Sequence, residues 1–314
     1  MLNVRIAGYG KFLPESKVKF YSSRFGNAVR YRAGNLSQID MLKAASEAAL
    51  KDASCTIDDI DLIVSATATP YCILPSTASF LNAALNPTKP VASFDINSSC
   101  SSFITAFNMA SVFLNSGVYK RILIASGDMA STGINERQKE SYELFSDAAA
   151  AVVLEKCPDG SSCLIAHEQK TYKEGLNLTT IQGGGSKLPS YDYDEAKRDQ
   201  YLFDMKAKEI LFVTARELPK EFDSFLEKNN ITLDDIDLII PHQASQALSM
   251  FMQKLKVPKD KYMDRVSEYG NMVSASVPFM LTLAKEEGLI HPGSKVLLIA
   301  TAAGFNINLM YIKI

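Results

Sequence analysis

The sequence has no excess of charge of either sign: 33 basic and 35 acidic residues leave a formal net charge of −2. A nucleic-acid footprint needs a strong basic excess, so that class is excluded and only local basic patches remain for an acidic partner. No two of the five cysteines, Cys55, Cys72, Cys100, Cys157 and Cys163, stand at CxxC spacing. That removes the close pair of a zinc or redox site. With an odd count, reduced thiols in a cytoplasmic protein are the simplest reading. No apolar run reaches the roughly 20 residues of a membrane helix. Residues Met1 to Ala7 read as a short strand and lack the apolar region of a signal peptide. The expectation is a cytoplasmic protein with no membrane, nucleic-acid or metal partner.

What is present is ordinary globular composition, 47% hydrophobic and 22% charged. At 314 residues the chain is long for one core and suited to two similar halves. Strands are expected at 3–9, 62–66, 91–96, 121–126 and 149–154. Ser37 and Asp40 form an N-cap pair opening a helix to about residue 53, with Ile39, Leu42, Ala45 and Ala49 on one face. Pro75 opens a second helix, and a long apolar helix after Cys100 ends near Gly117. Residues 171–200 hold Gly183-Gly184-Gly185-Ser186 and Tyr191-Asp192-Tyr193-Asp194-Glu195 and break the pattern. They read as a surface excursion connecting the halves. Helical periodicity resumes over 203–228.

An internal repeat organises the chain. Thr56 to Val64 reads TIDDIDLIV and Thr232 to Ile240 reads TLDDIDLII, seven of nine positions identical at an offset of 176. The segment from Arg121 to Ser126 echoes Lys295 to Ala300 at an offset of 174. Generic strand sequence explains the shared apolar residues but not the shared Thr-x-Asp-Asp-Ile-Asp lead-in. The fold class is therefore α/β, a duplicated αβ unit with a mixed sheet and helices on both faces in each half. The halves are expected at 1–165 and 166–314.

Three residues carry candidate chemistry. Cys100 follows a strand and opens a helix, within Asn97-Ser98-Ser99-Cys100-Ser101-Ser102-Phe103. Helix N-termini offer free N–H groups and partial positive charge, which lower a thiol pKa. Small residues allow a tight turn with room for substrate. Taken alone, a free cysteine is more often a buried structural residue. His242 shifts the balance, because it follows the apolar strand ending at Pro241 and precedes Gln243-Ala244-Ser245. Ligands in open α/β sheets gather at the carboxyl ends of strands, and Cys100 and His242 hold such ends, one per half. His167 and His291 lie in an edge strand and a Pro-Gly turn and take the structural reading. Asn271, in Tyr269-Gly270-Asn271-Met272-Val273-Ser274-Ala275-Ser276-Val277-Pro278, is alone a turn residue. Beside a Cys and a His it completes a polar cluster.

The segments around Cys100, Pro241-His242-Gln243-Ala244-Ser245, the Asn271 turn and the closing Ala302-Ala303-Gly304-Phe305 resemble the β-ketoacyl synthase III family of thiolase-superfamily condensing enzymes. Leu144 to Leu154 also resembles a family segment, and the likeness runs from residue 4 to the C-terminus. The resemblance implies a thiolase-like fold of duplicated αβαβ halves in five layers. It implies an acyltransferase of fatty-acid or secondary-metabolite synthesis. Cys100 would take an acyl group, and a malonyl or other acyl thioester would condense with it to a 3-oxoacyl product. His242 and Asn271 would hold the malonyl thioester carbonyl. The N–H groups of Cys100 and Ala303 would form an oxyanion hole. Acyl-coenzyme A and acyl carrier protein would be substrates, with no cofactor, and the chain would be a homodimer.

The resemblance also implies an acyl pocket at Leu74, Phe145 and Phe305, with Leu74 crossing to the partner's pocket. Arg24, Arg30, Arg32 and Lys139 are the implied contacts to the thioester donor or carrier. Several positions depart from the family. Ala302-Ala303 replaces a Gly-Gly pair, Ala247 stands where a carrier-docking Arg is common, and the Trp that stacks on adenine has no counterpart, since the chain has no Trp. Alternatives within the fold are non-decarboxylative acyl transfer and a pyrone- or dione-forming ketosynthase. A non-catalytic partner subunit predicts loss of Cys, His or Asn, and all three are present. A Cys hydrolase lacks its local signature here.

Overall fold

A computed structural model describes residues 1–22 and 26–314. The first half runs β1 (Val4–Phe12), β2 (Lys17–Ser22), β3 (Gly26–Tyr31), α1 (Gln38–Asp52), β4 (Leu62–Ser65), α2 (Thr77–Leu85), β5 (Ala92–Asp95), α3 (Ser102–Ser116), β6 (Arg121–Asp128), α4 (Lys139–Tyr142) and β7 (Ala148–Lys156). The second runs β8 (Cys163–Thr171), β9 (Thr179–Thr180), β10 (Asp204–Met205), α5 (Ala207–Lys228), β11 (Leu238–Pro241), α6 (Leu248–Lys254), α7 (Val266–Tyr269), α8 (Ser276–Glu286), β12 (Lys295–Ala302) and β13 (Asn306–Lys313).

Beside the two-stranded ladders β2-β3 and β9-β10, two main sheets form, ordered β1-β7-β6-β4-β5 and β11-β12-β13-β8. In each, a parallel pair (β4 with β6, β11 with β12) continues into two antiparallel strands, so β4, β6, β7 and β1 correspond to β11, β12, β13 and β8. This is the duplication expected from the repeat. Helices α3 and α8 lie between the sheets, sharing one apolar core with both. Helices α1 and α2 cover the outer face of the first sheet, and α5 and α6 that of the second. The result is the five-layer thiolase-like arrangement. A boundary at 165/166 falls inside β8, which pairs with β13 from Cys163 onward, so hydrogen bonding divides the halves at the turn just before Cys163.

The repeated acidic lead-in has a physical explanation. Thr56 with Asp59, and Thr232 with Asp235, make the same reciprocal capping box on a short 3-10 turn. One step on, Asp61 Oδ2 accepts the N–H groups of Lys120 and Arg121 at 2.8 and 3.1 Å. Asp237 Oδ2 accepts the Lys295 N–H at 2.7 Å. Each Asp thus pins the start of one parallel strand to the start of its neighbour. Helix α1 begins on the expected Ser37–Asp40 capping box, and its buried face runs through Met41, Leu42, Ala45 and Ala49, with Ile39 only half-buried.

Asp61→Ala removes an acceptor for two N–H groups and should lower unfolding free energy by about 1–2 kcal/mol in urea titration. Asp234→Ala, exposed and outside these bonds, should change it by less than about 0.5 kcal/mol. Equal effects would refute the pinning role.

Candidate active site

The parallel strands of both halves end toward one cavity of about 1520 Å³, and Cys100, His242, Asn271 and Ala303 all line it. Cys100 sits on a tight elbow between β5 and α3. The elbow needs a left-handed residue, and Ser99 supplies it at φ +55°. Asn97 Oδ1 accepts the Ser99 N–H at 2.8 Å, while Ser102 Oγ accepts from Ser98 N–H and donates to Ser99 O at 2.6 Å. The small hydroxyl residues read from the sequence therefore satisfy the backbone of the turn.

Asn271 is fixed from both sides. Its N–H donates to Leu144 O and its carbonyl accepts the Ser146 N–H, both at 2.9 Å. Gly270 before it has φ +72°, and a Cβ there would run into Leu144 O and the Arg30 side chain, so glycine is required. Asn271 Oδ1 accepts the Val273 N–H at 2.8 Å and Nδ2 donates to Ala244 O at 3.3 Å. These bonds orient the amide and leave one N–H of Nδ2 for a ligand. Val273, β-branched, is held at φ +51°, a conformation costing about 1–3 kcal/mol.

At the fourth corner, β12 turns into β13. The left-handed residues of this turn are Gly304 at φ +75° and Phe305 at φ +37°, not Ala303. An alanine is therefore compatible with a donating N–H at 303. The N–H groups of Ala303 and of Cys100 itself both reach the Cys100 sulfur. Asn306 ties the two turns together: its Oδ1 accepts from Ser101 Oγ at 2.8 Å and its Nδ2 donates to Ala303 O at 3.5 Å.

The sequence matches known proteins in the same terms. Residues 94–172 match the family described as 3-oxoacyl-[acyl-carrier-protein] synthase III, and residues 226–314 match its C-terminal part. The β-ketoacyl-[acyl-carrier-protein] synthase III of Oleidesulfovibrio alaskensis is 31% identical over 269 residues, 85% of this chain and 81% of that protein. That of Caldanaerobacter subterraneus is 30% identical over 315 residues, 95% of this chain and 94% of its own. The chain belongs to this family. A crystal structure of 3-oxoacyl-[acyl-carrier-protein] synthase III from Aquifex aeolicus superposes with a TM-score of 0.88 at 27% identity, covering 99% of this chain and all of that one. The protein is thus a condensing enzyme, an acyltransferase of the synthase III type.

The remaining expected residues divide. Phe145 and Phe305 are buried and line the cavity, Phe145 edge-on to Phe203 at 4.8 Å and Phe305 against Tyr172 at 5.5 Å. Leu74 is 83% exposed and lies outside this chain's cavity. Arg30 is fully buried and donates to the carbonyls of Glu143, Val29 and Ser267. Arg32 donates to Phe145 O at 2.6 Å and Tyr142 O at 3.3 Å. Neither lines the cavity, where a donor contact was expected; these guanidiniums clamp the backbone that carries Phe145. Lys139 is 76% exposed, pairs with Glu143 at 3.5 Å and does not line the cavity. Arg24 lies outside the described residues.

Sequence reasoning missed Asp128 and Asn306. Asp128 ends β6, fully buried, and accepts from Ala68, Thr69 and Ser274, so it joins the loops of both halves. The strand-end rule that flagged His242 also applies to it. For Asn306 no local signal exists, since its partner Ser101 is 205 residues away.

The thiol differs from expectation. Burial, with the Asp128 carboxylate second, pushes Cys100 up to about 12, while the N–H groups of Ala303 and Cys100 pull the other way. Desolvation of a sulfur at the end of a cavity outweighs the helix N-terminus. The resting residue is a thiol. Burial lowers His242 to about 4, so its ring is neutral at pH 7. Its Nδ1 is enclosed and has no hydrogen-bond partner among the described residues.

An exposed His titrates near 6.5 and folded His242 near 4. Between these values the unfolded chain binds the proton and the folded chain does not. This contribution is complete above pH 6.5 and is lost as pH falls toward 4, by roughly 3 kcal/mol at most. His167, also lowered by burial, adds with the same sign. Urea midpoints at pH 7 and 4.5 should fall less in His242→Gln than in wild type. Identical falls would show that His242 is not the buried neutral group.

Proposed function

We propose that this condensing enzyme works by two half-reactions on Cys100. In the first, the Cys100 sulfur attacks the carbonyl of an acyl thioester. A new S–C bond forms, the bond to the donor sulfur breaks, and the donor leaves as a thiol. Negative charge developing on the carbonyl oxygen is met by the N–H groups of Cys100 and Ala303. The attacking sulfur must lose a proton that it holds firmly at rest. The departing donor thiolate takes that proton as the new S–C bond forms, because the buried His242 ring, lowered to about 4, is too weak a base to keep it.

In the second half-reaction a malonyl thioester loses carbon dioxide, and the electron pair of the broken C–C bond forms an enolate. The His242 ring and the free N–H of Asn271 Nδ2 hold the enolate oxygen. The enolate carbon then attacks the Cys100 thioester, the C–S bond breaks, and the released Cys100 thiolate takes a proton from water as the 3-oxoacyl thioester departs. The observation that supports this reading is the convergence of Cys100 from one half with Ala303, His242 and Asn271 from the other on a single cavity. Coenzyme A and carrier-protein thioesters are the proposed substrates. The side chains and N–H groups supply the chemistry, so no cofactor enters it. Among the described residues no group of three metal-binding side chains occurs, and no helix is long and apolar enough to cross a membrane. A cytoplasmic location fits the use of these thioesters.

Intact-protein mass spectrometry should show one added acyl group in wild type and none in Cys100→Ala. Asn271→Ala should still load but condense slower by about a hundredfold, the loss of one enolate donor. Loading of Cys100→Ala would show another nucleophile.

We further propose a homodimer. Ile73 and Leu74 stand exposed beside the cavity, and β5 ends its sheet with one edge unpaired among the described residues. Light scattering should give twice the chain mass, and a monomer at micromolar concentration would sink the proposal.

A further inference from the structure

The segment between β8 and α5, left without a role by its sequence, forms one wall of the cavity. The β9–β10 ladder pairs Thr179–Thr180 with Asp204–Met205. It is docked on the first half: the Phe203 N–H donates to Gly133 O at 2.8 Å, and Gln138 Nε2 donates to Asp204 Oδ1 at 2.5 Å. The wall that this segment and the start of α5 present is mostly apolar, with Leu176, Leu178, Ile181, Phe203, Met205 and Leu211, and is interrupted by threonines and by Lys208 and Glu209. Three of these are unusually open for large aliphatic side chains, Leu176 at 61%, Ile181 at 42% and Leu211 at 39%.

Two facts need one explanation. A cavity of about 1520 Å³ exceeds the ~300–1000 Å³ that serves most small ligands. Part of it must hold the thioester handle on its way to Cys100, yet an acetyl group would fill almost none of the rest. Open aliphatic side chains facing a cavity keep apolar surface in water, and covering them is favourable by about 0.8 kcal/mol per methylene.

Resting on the acyl-carrier reading of Cys100, we propose that the donor is a long apolar acyl thioester whose chain lies along the 176–181 and 203–211 wall, and that Leu176 and Ile181 help set its length. The covalent step is the loading already described and needs no added reactant. Each methylene that covers the wall raises the loading rate constant per molar donor roughly fourfold, until the chain outruns the wall. Acetyl and other very short donors gain nothing from it.

Loading is measured by intact mass against time with acetyl-, butyryl-, hexanoyl-, octanoyl- and decanoyl-coenzyme A, on wild type, Leu176→Trp and Ile181→Trp. Both substitutions are at open positions, where a larger side chain occupies cavity rather than packed core. The expected result is a decanoyl rate constant at least a hundredfold above acetyl in wild type. In either Trp variant that ratio should fall at least tenfold, with the optimum moved to shorter chains. Acetyl loading fastest, or Trp variants that slow every donor by one factor, would overturn the chain-length inference and leave the Cys100 reading standing. No loading by any donor would overturn both.

Discussion

Helix α3 has to bury a broad apolar face, Phe103, Ile104, Ala106, Phe107, Ala110 and Leu114, while Met109 and Val112 stay exposed. One sheet cannot do that. The second sheet, built from the duplicated unit, closes over it with α8 alongside, and the two sheets then share a single core. This constraint places the parallel strands of both halves with their ends at one cavity. It also places Cys100, two residues before α3, at the seam between the halves. The site forms at the seam because both sheets pack on the same central helix layer.

The same burial sets the chemistry of the site. A sulfur at the seam loses hydration, and Asp128 adds a negative charge nearby, so the thiolate is disfavoured. Asp128 is retained there for a structural reason. It accepts N–H groups from the 68–69 loop and from Ser274, which belong to different halves. A buried acceptor with several donors orders both loops at once. The consequence is a sulfur that stays protonated at rest. The N–H groups that pull its pKa down are those proposed above to meet the carbonyl oxygen in the loading step. The burial that holds up the thiol proton also empties the His242 ring of its own.

Much of this was legible in the sequence, and the boundary of legibility is physical. The repeat could be read because its acidic residues act locally, as caps and pins on adjacent strand starts. Cys100, His242 and Asn271 could be assembled because each occupies a strand end or helix entry, a position defined by nearby residues. Arg30 and Arg32 were expected as contacts to the thioester donor or carrier. Their carbonyl partners lie at 143, 145 and 267, far along the chain, and no local pattern announces them. The direction of the Cys100 shift was missed for the same reason. The helix N-terminus is visible in sequence, whereas the second sheet that desolvates the sulfur is not.

The closing turn shows how the site tolerates its unusual residues. Alanine at 302 and 303 removes the freedom of glycine, so the turn has to obtain left-handed backbone elsewhere. It does so at Gly304, at no steric cost, and at Phe305, where a non-glycine residue must be held in place. Phe305 is held by the Tyr172 N–H on its carbonyl at 2.9 Å and by ring contact with Tyr172, whose hydroxyl is anchored on Glu221 at 2.6 Å. Asn306 then links the turn to Ser101, the residue after the nucleophile. With Ala303 barred from left-handed conformations, its N–H has a narrower range of directions than a glycine would have. A stiffer turn braced through Tyr172 and Asn306 therefore keeps the Ala303 N–H aimed at the sulfur. In the proposed oxyanion hole the Ala303 N–H would thus be preorganised by side-chain bracing rather than by glycine.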